Sequence, residues 1–418
     1  MNKKTLKIFF LSAITGLAAG LLANFYRFLV HFVEGVLSKE MILSESEPIF
    51  FAIFLAQAAI FSFICSYLAS KESLAGGSGI PQVKAELDKK IDPNPLSVLF
   101  VKIFGGACAI FSGLSVGREG PSIQMGAMTA KVLSRKMTDD GEIKDILLQV
   151  GAASGLSAAF GAPVAGVAFI LEELEGKLDK KLLIAGFSGT LSAAVSSTLF
   201  FGTEPIFSFG KIVSPNVDKF PIFILFGIFL SAVGLIYLKL MDKIFSLQQS
   251  IKLPPLLKFF PTFLLSAALF YFSPMLLCGG GFLLDFTTKN DLSVLILTLL
   301  LTGKLLFSLA SFTSGVAGGI FFPILMMGAI CGMIFSKIFA PNDLTLFIIM
   351  GMAGLLTAIV RAPITGILLL FEMTGAFSTL LPLGIISLIT LIIPELLNAM
   401  PVYDYLTKRL LSKTPTKN

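Results

Sequence analysis

Apolar segments dominate the chain. They run roughly over 8–33, 49–69, 96–115, 121–134, 146–160, 163–174, 182–202, 219–240, 257–278, 292–312, 320–339, 343–359, 362–373 and 378–399. Their length and uniform hydrophobicity predict helices, not strands. A helix that crosses a bilayer needs about 20 residues at 1.5 Å each. The 121–134 segment is too short for that, and so are 146–160, 163–174, 343–359 and 362–373. The last four meet in pairs at Ala162-Pro163 and Ala362-Pro363. Proline suits a first helical turn, where its missing N–H would have no intrahelical acceptor. These short segments therefore predict half-helices and helical hairpins enclosed by protein.

The two Ala-Pro junctions belong to a longer duplication. Gly151–Gly176 and Gly351–Gly375 share Gly, Ala, Leu, Pro and Glu positions at an offset of 200. Upstream the offset is 202: Lys102 matches Lys304, Gly117 matches Gly319, Pro121 matches Pro323 and Gly126 matches Gly328. What the copies share is mostly glycine and proline, so backbone geometry is what the duplication preserves. Lys304 lies seven apolar segments after Lys102. An odd number of crossings turns the second copy upside down. The expectation is a single membrane domain over 1–418, with a first repeat at about 8–202 and an inverted second repeat at about 219–399. About 20 residues follow the last apolar segment, which predicts no cytoplasmic regulatory domain.

Composition places the chain in a membrane. It has 418 residues, 55% hydrophobic and only 14% charged, with a mean hydropathy of +0.89. One soluble core could not hide that much apolar surface. The net charge is +6. Lys3, Lys4, Lys7, Lys408, Arg409, Lys413 and Lys417 supply basic ends, which predicts cytoplasmic termini and no nucleic-acid partner. The long first apolar segment lacks a signal-peptide cleavage site. Cys65, Cys108, Cys278 and Cys331 lie in apolar segments without a C-x-x-C pair, as buried small hydrophobes do. His31 is the sole histidine. With no histidine or cysteine cluster and no nucleophile–base pair near the signature segments, the sequence predicts no metal site, no cofactor and no enzyme.

Four places break the apolar pattern. Gly76-Gly77-Ser78-Gly79-Ile80-Pro81 is a glycine turn with one hydroxyl, opening a helix at a proline. Gly117-Arg118-Glu119-Gly120-Pro121 sets a charged pair between apolar segments. A charge at the bilayer centre costs about 2.5–3.5 kcal/mol, so both side chains must be paired, solvated or functional. A helix N-terminus carries about half a positive charge, which favours a carboxylate there and equally a free anion once that carboxylate leaves. Glu119 is therefore a competitor for a transported anion. In the matching loop Gly318-Gly319-Ile320-Phe321-Phe322-Pro323, Phe321 stands where Glu119 does, leaving backbone N–H groups as donors. Last, Glu172 has a repeat partner in Glu372, whereas Glu173 is matched by Met373. The duplicated glutamate reads as structural and Glu173 as the functional candidate. Lys102 and Lys304 read as structural lysines that pair with carbonyls or carboxylates.

Together, GSGIP, GREGP, GGIFFP and the late Met400-Pro401-Val402-Tyr403-Asp404 segment resemble the signature regions of the CLC chloride channel and transporter family, in order and along essentially the whole chain. The resemblance implies that Ser78, Tyr403 and the backbone N–H groups of Ile320 and Phe321 hold a central chloride. It implies that Gly77, Gly79, Ile80, Pro81, Gly117, Arg118, Gly120, Pro121, Gly319 and Pro323 shape the signature loops. Glu119 matches the family's gating glutamate and Glu173 its internal proton-transfer residue. Retention of Ser78 and Glu173 resembles the compact bacterial chloride/proton exchangers, with a passive chloride channel as the alternative. The resemblance also implies a homodimer in the cell inner membrane, each subunit with its own pathway, and lipid, chloride and protons as partners.

Overall fold

A computed structural model describes residues 3–44, 47–175, 179–207, 209, 219–250 and 253–413. Lys417 and Gly176, which figure in the sequence patterns above, lie outside the described residues. Among the described residues seventeen α-helices follow one another. The first repeat holds α1 (Lys3–Ser44), α2 (Ile49–Lys71), α3 (Ile80–Leu87), α4 (Pro95–Phe111), α5 (Glu119–Met137), α6 (Gly141–Phe160), α7 (Pro163–Phe169) and α8 (Lys180–Phe201). The second holds α9 (Phe220–Ser250), α10 (Phe260–Phe272), α11 (Gly281–Lys289), α12 (Val294–Thr313), α13 (Phe321–Phe339), α14 (Leu344–Val360), α15 (Pro363–Thr374) and α16 (Leu380–Leu396). Helix α17 (Val402–Leu411) ends the fold.

Nine stretches are long and apolar enough to cross a membrane, counted among the described residues. Helix α1 has 42 residues, about 63 Å at 1.5 Å each. That is about twice the hydrocarbon thickness, so it crosses obliquely or projects beyond it. The apolar stretch 257–278 is not one helix. α10 stops at Ser273, where Pro274 opens a short 3-10 turn. A proline there cannot donate to the preceding turn, and the chain bends.

The two repeats meet head to tail. The Glu172 carboxylate accepts from the N–H groups of Ile364 (2.9 Å) and Thr365 (2.6 Å) at the start of α15. Glu372, near the end of α15, accepts from Val164 (3.0 Å) and Ala165 (2.8 Å) at the start of α7. Each half-helix thus has its N-terminus capped by the other repeat's glutamate, and the two run antiparallel. The pseudo-two-fold axis relating them crosses the helices, which is inverted topology. These caps satisfy N–H groups that a helix start leaves without partners.

The duplicated lysines are buried and bond to carbonyls. Lys102 Nζ donates to Gly77 O at 2.6 Å. Lys304 Nζ donates to Leu276 O at 2.9 Å and Cys278 O at 2.6 Å. Each lysine pins the loop before a short helix, α3 in one repeat and α11 in the other. The turn into α11, Gly279-Gly280-Gly281, stands 202 residues after Gly77-Ser78-Gly79 and is its counterpart.

The duplicated glycines mark backbone crossings. A Cβ on Gly151 would collide with Gly126 O, and one on Gly351 would collide with Gly328 O. Helices α5 and α6, and α13 and α14, therefore touch backbone to backbone, which small residues permit within a membrane. Gly151→Ala is expected to destabilise the protein by about 1–3 kcal/mol through overpacking. Gly35→Ala, where a Cβ meets nothing within 4 Å, should gain up to about 1 kcal/mol from helix propensity. Thermal unfolding of the two variants in detergent checks the contrast.

Candidate anion and proton pathway

Three glycine loops are sewn together at the centre of the protein. Gly117 N donates to Gly319 O at 2.7 Å, and Gly319 N donates to Gly117 O at 2.8 Å. Gly77 N donates to Val316 O at 2.9 Å, and Gly318 N donates to Gly77 O at 3.0 Å. These bonds aim the N-termini of α3, α5 and α13 at one region. The approach is tight. Gly79 has φ +99°, and a Cβ on it would strike Gln124, whose amide donates to Leu74 O at 2.9 Å. A Cβ on Gly120 would fall on the Ser78 hydroxyl, so the first turn of α5 lies directly against Ser78.

Ser78, Tyr403, Ile320 and Phe321 are all buried. The Ser78 Oγ and the Tyr403 hydroxyl lie against each other and have no other hydrogen-bond partner among the described residues. Paired only with each other, they leave an O–H without an acceptor, which is costly in a buried site. Ile320 and Phe321 open α13, where helix geometry leaves the N–H groups without intrahelical acceptors. Phe321 packs on Phe160, with ring centroids 5.6 Å apart. The arrangement offers hydroxyl and N–H donors to a small anion and contributes no full positive charge.

Glu119 is 1% exposed. Its carboxylate folds back over Gly117 and lies against its own N–H and that of Phe322. It therefore sits at the starts of α5 and α13 together, where both helix dipoles favour negative charge. Arg118 Nε is 4.0 Å from Glu119 Oε1, a loose pairing. On the far side is a cavity of about 150 Å³ lined by Glu119, Arg118, Glu34, His31, Gly279 and Gly281. Helix α1 thus brings the sole histidine and a further carboxylate beside Glu119. No local sequence signal links them; only the long helix does.

Glu173 lies on a π-helical turn, Ile170–Glu175, that continues α7. Its repeat counterpart, α15, stays α-helical and ends at Gly375 with φ +65°. π turns re-aim side chains and gather at functional sites. Here Glu172 caps α15 while Glu173, next in sequence, is buried and meets Lys84 Nζ at 2.8 Å. Lys84 also bonds Asp404 at 2.7 Å. Side-chain exposure runs from 52% at Asp404 through 21% at Lys84 to 7% at Glu173. Asp404 adjoins Tyr403, so this chain of charges leads from solvent toward the buried hydroxyls. Lys84 and Asp404 were not singled out by the sequence as partners of Glu173.

The chain matches the family model described as "Voltage gated chloride channel" over residues 58–395. It is 34% identical over 430 residues to the H(+)/Cl(-) exchange transporter ClcA of Vibrio campbellii, covering 97% of this chain and 90% of that one. It is 30% identical over 430 residues to the protein of the same name from Salmonella agona, covering 99% and 90%. Among solved structures it superposes on a slow cyanobacterial Cl-/H+ antiporter with a TM-score of 0.91 and 28% identity, covering 98% and 99%. It shares the fold of a CLC-type fluoride/proton antiporter, with a TM-score of 0.80 and 20% identity over 96% and 98%. The inverted repeat, the broken helices and these matches place the chain in the voltage gated chloride channel (CLC) family.

Proposed function

We propose that this protein is a secondary transporter that exchanges chloride for protons across the inner membrane. The observation that carries this reading is the position of Glu119. A buried carboxylate occupies the convergence of two helix N-termini, one from each repeat, next to donors fit for a small anion. An ionised carboxylate and a chloride want the same electrostatic environment, so they compete for it.

The steps follow from charge. Ionised, Glu119 is held by backbone N–H groups and closes the path. Protonated, it loses its charge and with it most of the attraction to the two helix starts. Chloride then enters the vacated seat. Ser78, Tyr403, Ile320 and Phe321 hold the next chloride inward through hydroxyl and N–H donors. Neutral donors suit turnover: a full cation at the same point would bind chloride too tightly to release it. Returning chloride displaces Glu119 toward the cavity it shares with His31 and Glu34. Glu173 passes protons toward the cytoplasm, with Lys84 fixing its carboxylate and Asp404 meeting water. The loops Gly77–Pro81, Gly117–Pro121 and Gly319–Pro323 hold the geometry. Both termini face the cytoplasm, in keeping with the basic ends. Two copies assemble in the lipid, each with its own pathway.

The reading is tested with purified protein in liposomes under a chloride gradient and without a protonophore. Wild type should drive protons uphill. Glu119→Gln, neutral at all pH, should abolish proton movement while chloride flux persists. Glu173→Gln should also lose proton movement. Chloride flux without proton movement in wild type would make the protein a passive channel. A second prediction concerns the central anion. Tyr403→Phe and Ser78→Ala each remove one hydrogen bond to a charged ligand, about 1.5 kcal/mol, so each should weaken chloride binding about tenfold by calorimetry.

A further inference from the structure

Beside α17, below the buried hydroxyls, lies a cavity of about 230 Å³. Lys258, Arg409 and Lys413 line it, with Gln248, Gln249 and Ser314. No carboxylate lines it among the described residues, and none of the three cations forms an ion pair among them. The basic groups come from separate elements. Lys258 follows the 3-10 turn Pro255–Leu257, whereas Arg409 and Lys413 come from α17 and its exit. They are held in place by neutral groups. The Arg409 guanidinium stacks 4.1 Å from the Phe245 ring centroid, and the Gln248 amide is fixed by a 3.1 Å bond to Ala310 O. With its amide oxygen turned to accept, Gln249 is 2.8 Å from Lys413 Nζ.

Like charges gathered without a counter-charge repel one another. Burial, then Arg409 and Lys258, hold the Lys413 ammonium below the ordinary lysine range. An anion in the cavity would relieve that repulsion. The space holds about seven waters at about 30 Å³ each, far more than one chloride needs. A guanidinium fork flanked by two ammonium groups matches the several oxygens of a phosphate. A second cavity of about 210 Å³ shares Lys258, Arg409 and Lys413 and extends to Gly76, Gly77 and Ser78. A ligand lodged among the three cations therefore stands in the approach to Ser78.

We infer that this cavity binds a phosphate-bearing ligand, and that the bound ligand obstructs the chloride path from the α17 side. The obstruction rests on the exchange function proposed above; the binding does not. A soluble phosphate compound and an anionic lipid headgroup present the same chemistry. The test therefore has two arms, each run on full-length wild type, Lys413→Gln and the triple variant Lys258→Gln/Arg409→Gln/Lys413→Gln. In the first, inorganic pyrophosphate is titrated by calorimetry into protein in neutral detergent. In the second, thermal unfolding is compared in phosphatidylcholine vesicles with and without phosphatidylglycerol.

Pyrophosphate binding that weakens at least tenfold in Lys413→Gln supports the site with a soluble ligand. Stabilisation by phosphatidylglycerol in wild type, reduced in Lys413→Gln, supports it with a lipid ligand. The single variant keeps the test meaningful if the triple variant does not fold. If neither probe distinguishes wild type from Lys413→Gln, the inference is wrong. Binding in a protein that moves no chloride would leave the site standing and overturn the transport reading instead.

Discussion

Two backbone hydrogen bonds between Gly117 and Gly319 set the geometry on which the site depends. They join one repeat to the other where the starts of α5 and α13 come together. Without that junction the Glu119 carboxylate could not reach the N–H of Phe322, which belongs to the opposite repeat. The approach is close: a Cβ on Gly319 would lie 3.1 Å from Gly120 N, and the neighbouring backbone would have to give way. The duplicated pair Gly117 and Gly319 is thus a point at which the repeats touch.

A second constraint follows from the bilayer. Helices broken inside a membrane expose backbone groups that water cannot satisfy. The protein answers with reciprocal caps. Glu172 and Glu372 close the starts of α15 and α7, and Lys102 and Lys304 take up carbonyls of the loops before α3 and α11. The starts of α5 and α13 are treated differently. Beside both lies Glu119, a carboxylate whose charge can be removed by a proton. One pair of helix starts is capped by the other repeat's glutamates, while the other faces the group that protonation releases in the proposed exchange cycle.

Much of this was legible in the sequence because glycine, proline and lone charges stand out against an apolar background. The inverted repeat, the half-helices at Pro163 and Pro363, and the separate treatment of Glu172 and Glu173 could be read from spacing alone. Other features could not. Gly279-Gly280-Gly281 stands at the 202 offset from Gly77-Ser78-Gly79, but without the serine it does not stand out until Lys304 is seen to pin it. Lys84 meets Asp404 across 320 positions of sequence, a distance no local pattern spans. His31 and Glu34 reach the Glu119 cavity from distant α1; Glu34 falls beyond the 8–33 apolar stretch, and nothing in the sequence ties either to Glu119. The apolar stretch ending at Cys278 hid its break at Ser273, since a proline near the end of a helix leaves the hydropathy unchanged.

The central claim is that the Glu119 carboxylate sits in an anion seat. Crystals of Glu119→Gln soaked in bromide test it most directly, because bromide is located by its anomalous scattering. The account predicts a bromide beside the N–H of Phe322, in the space the carboxylate fills in the wild-type protein, in addition to one between Ser78 and Tyr403. A bromide at Ser78 and Tyr403 with none beside Phe322 would contradict it. Glu119 would then be a charge that blocks the path without standing in for the ion.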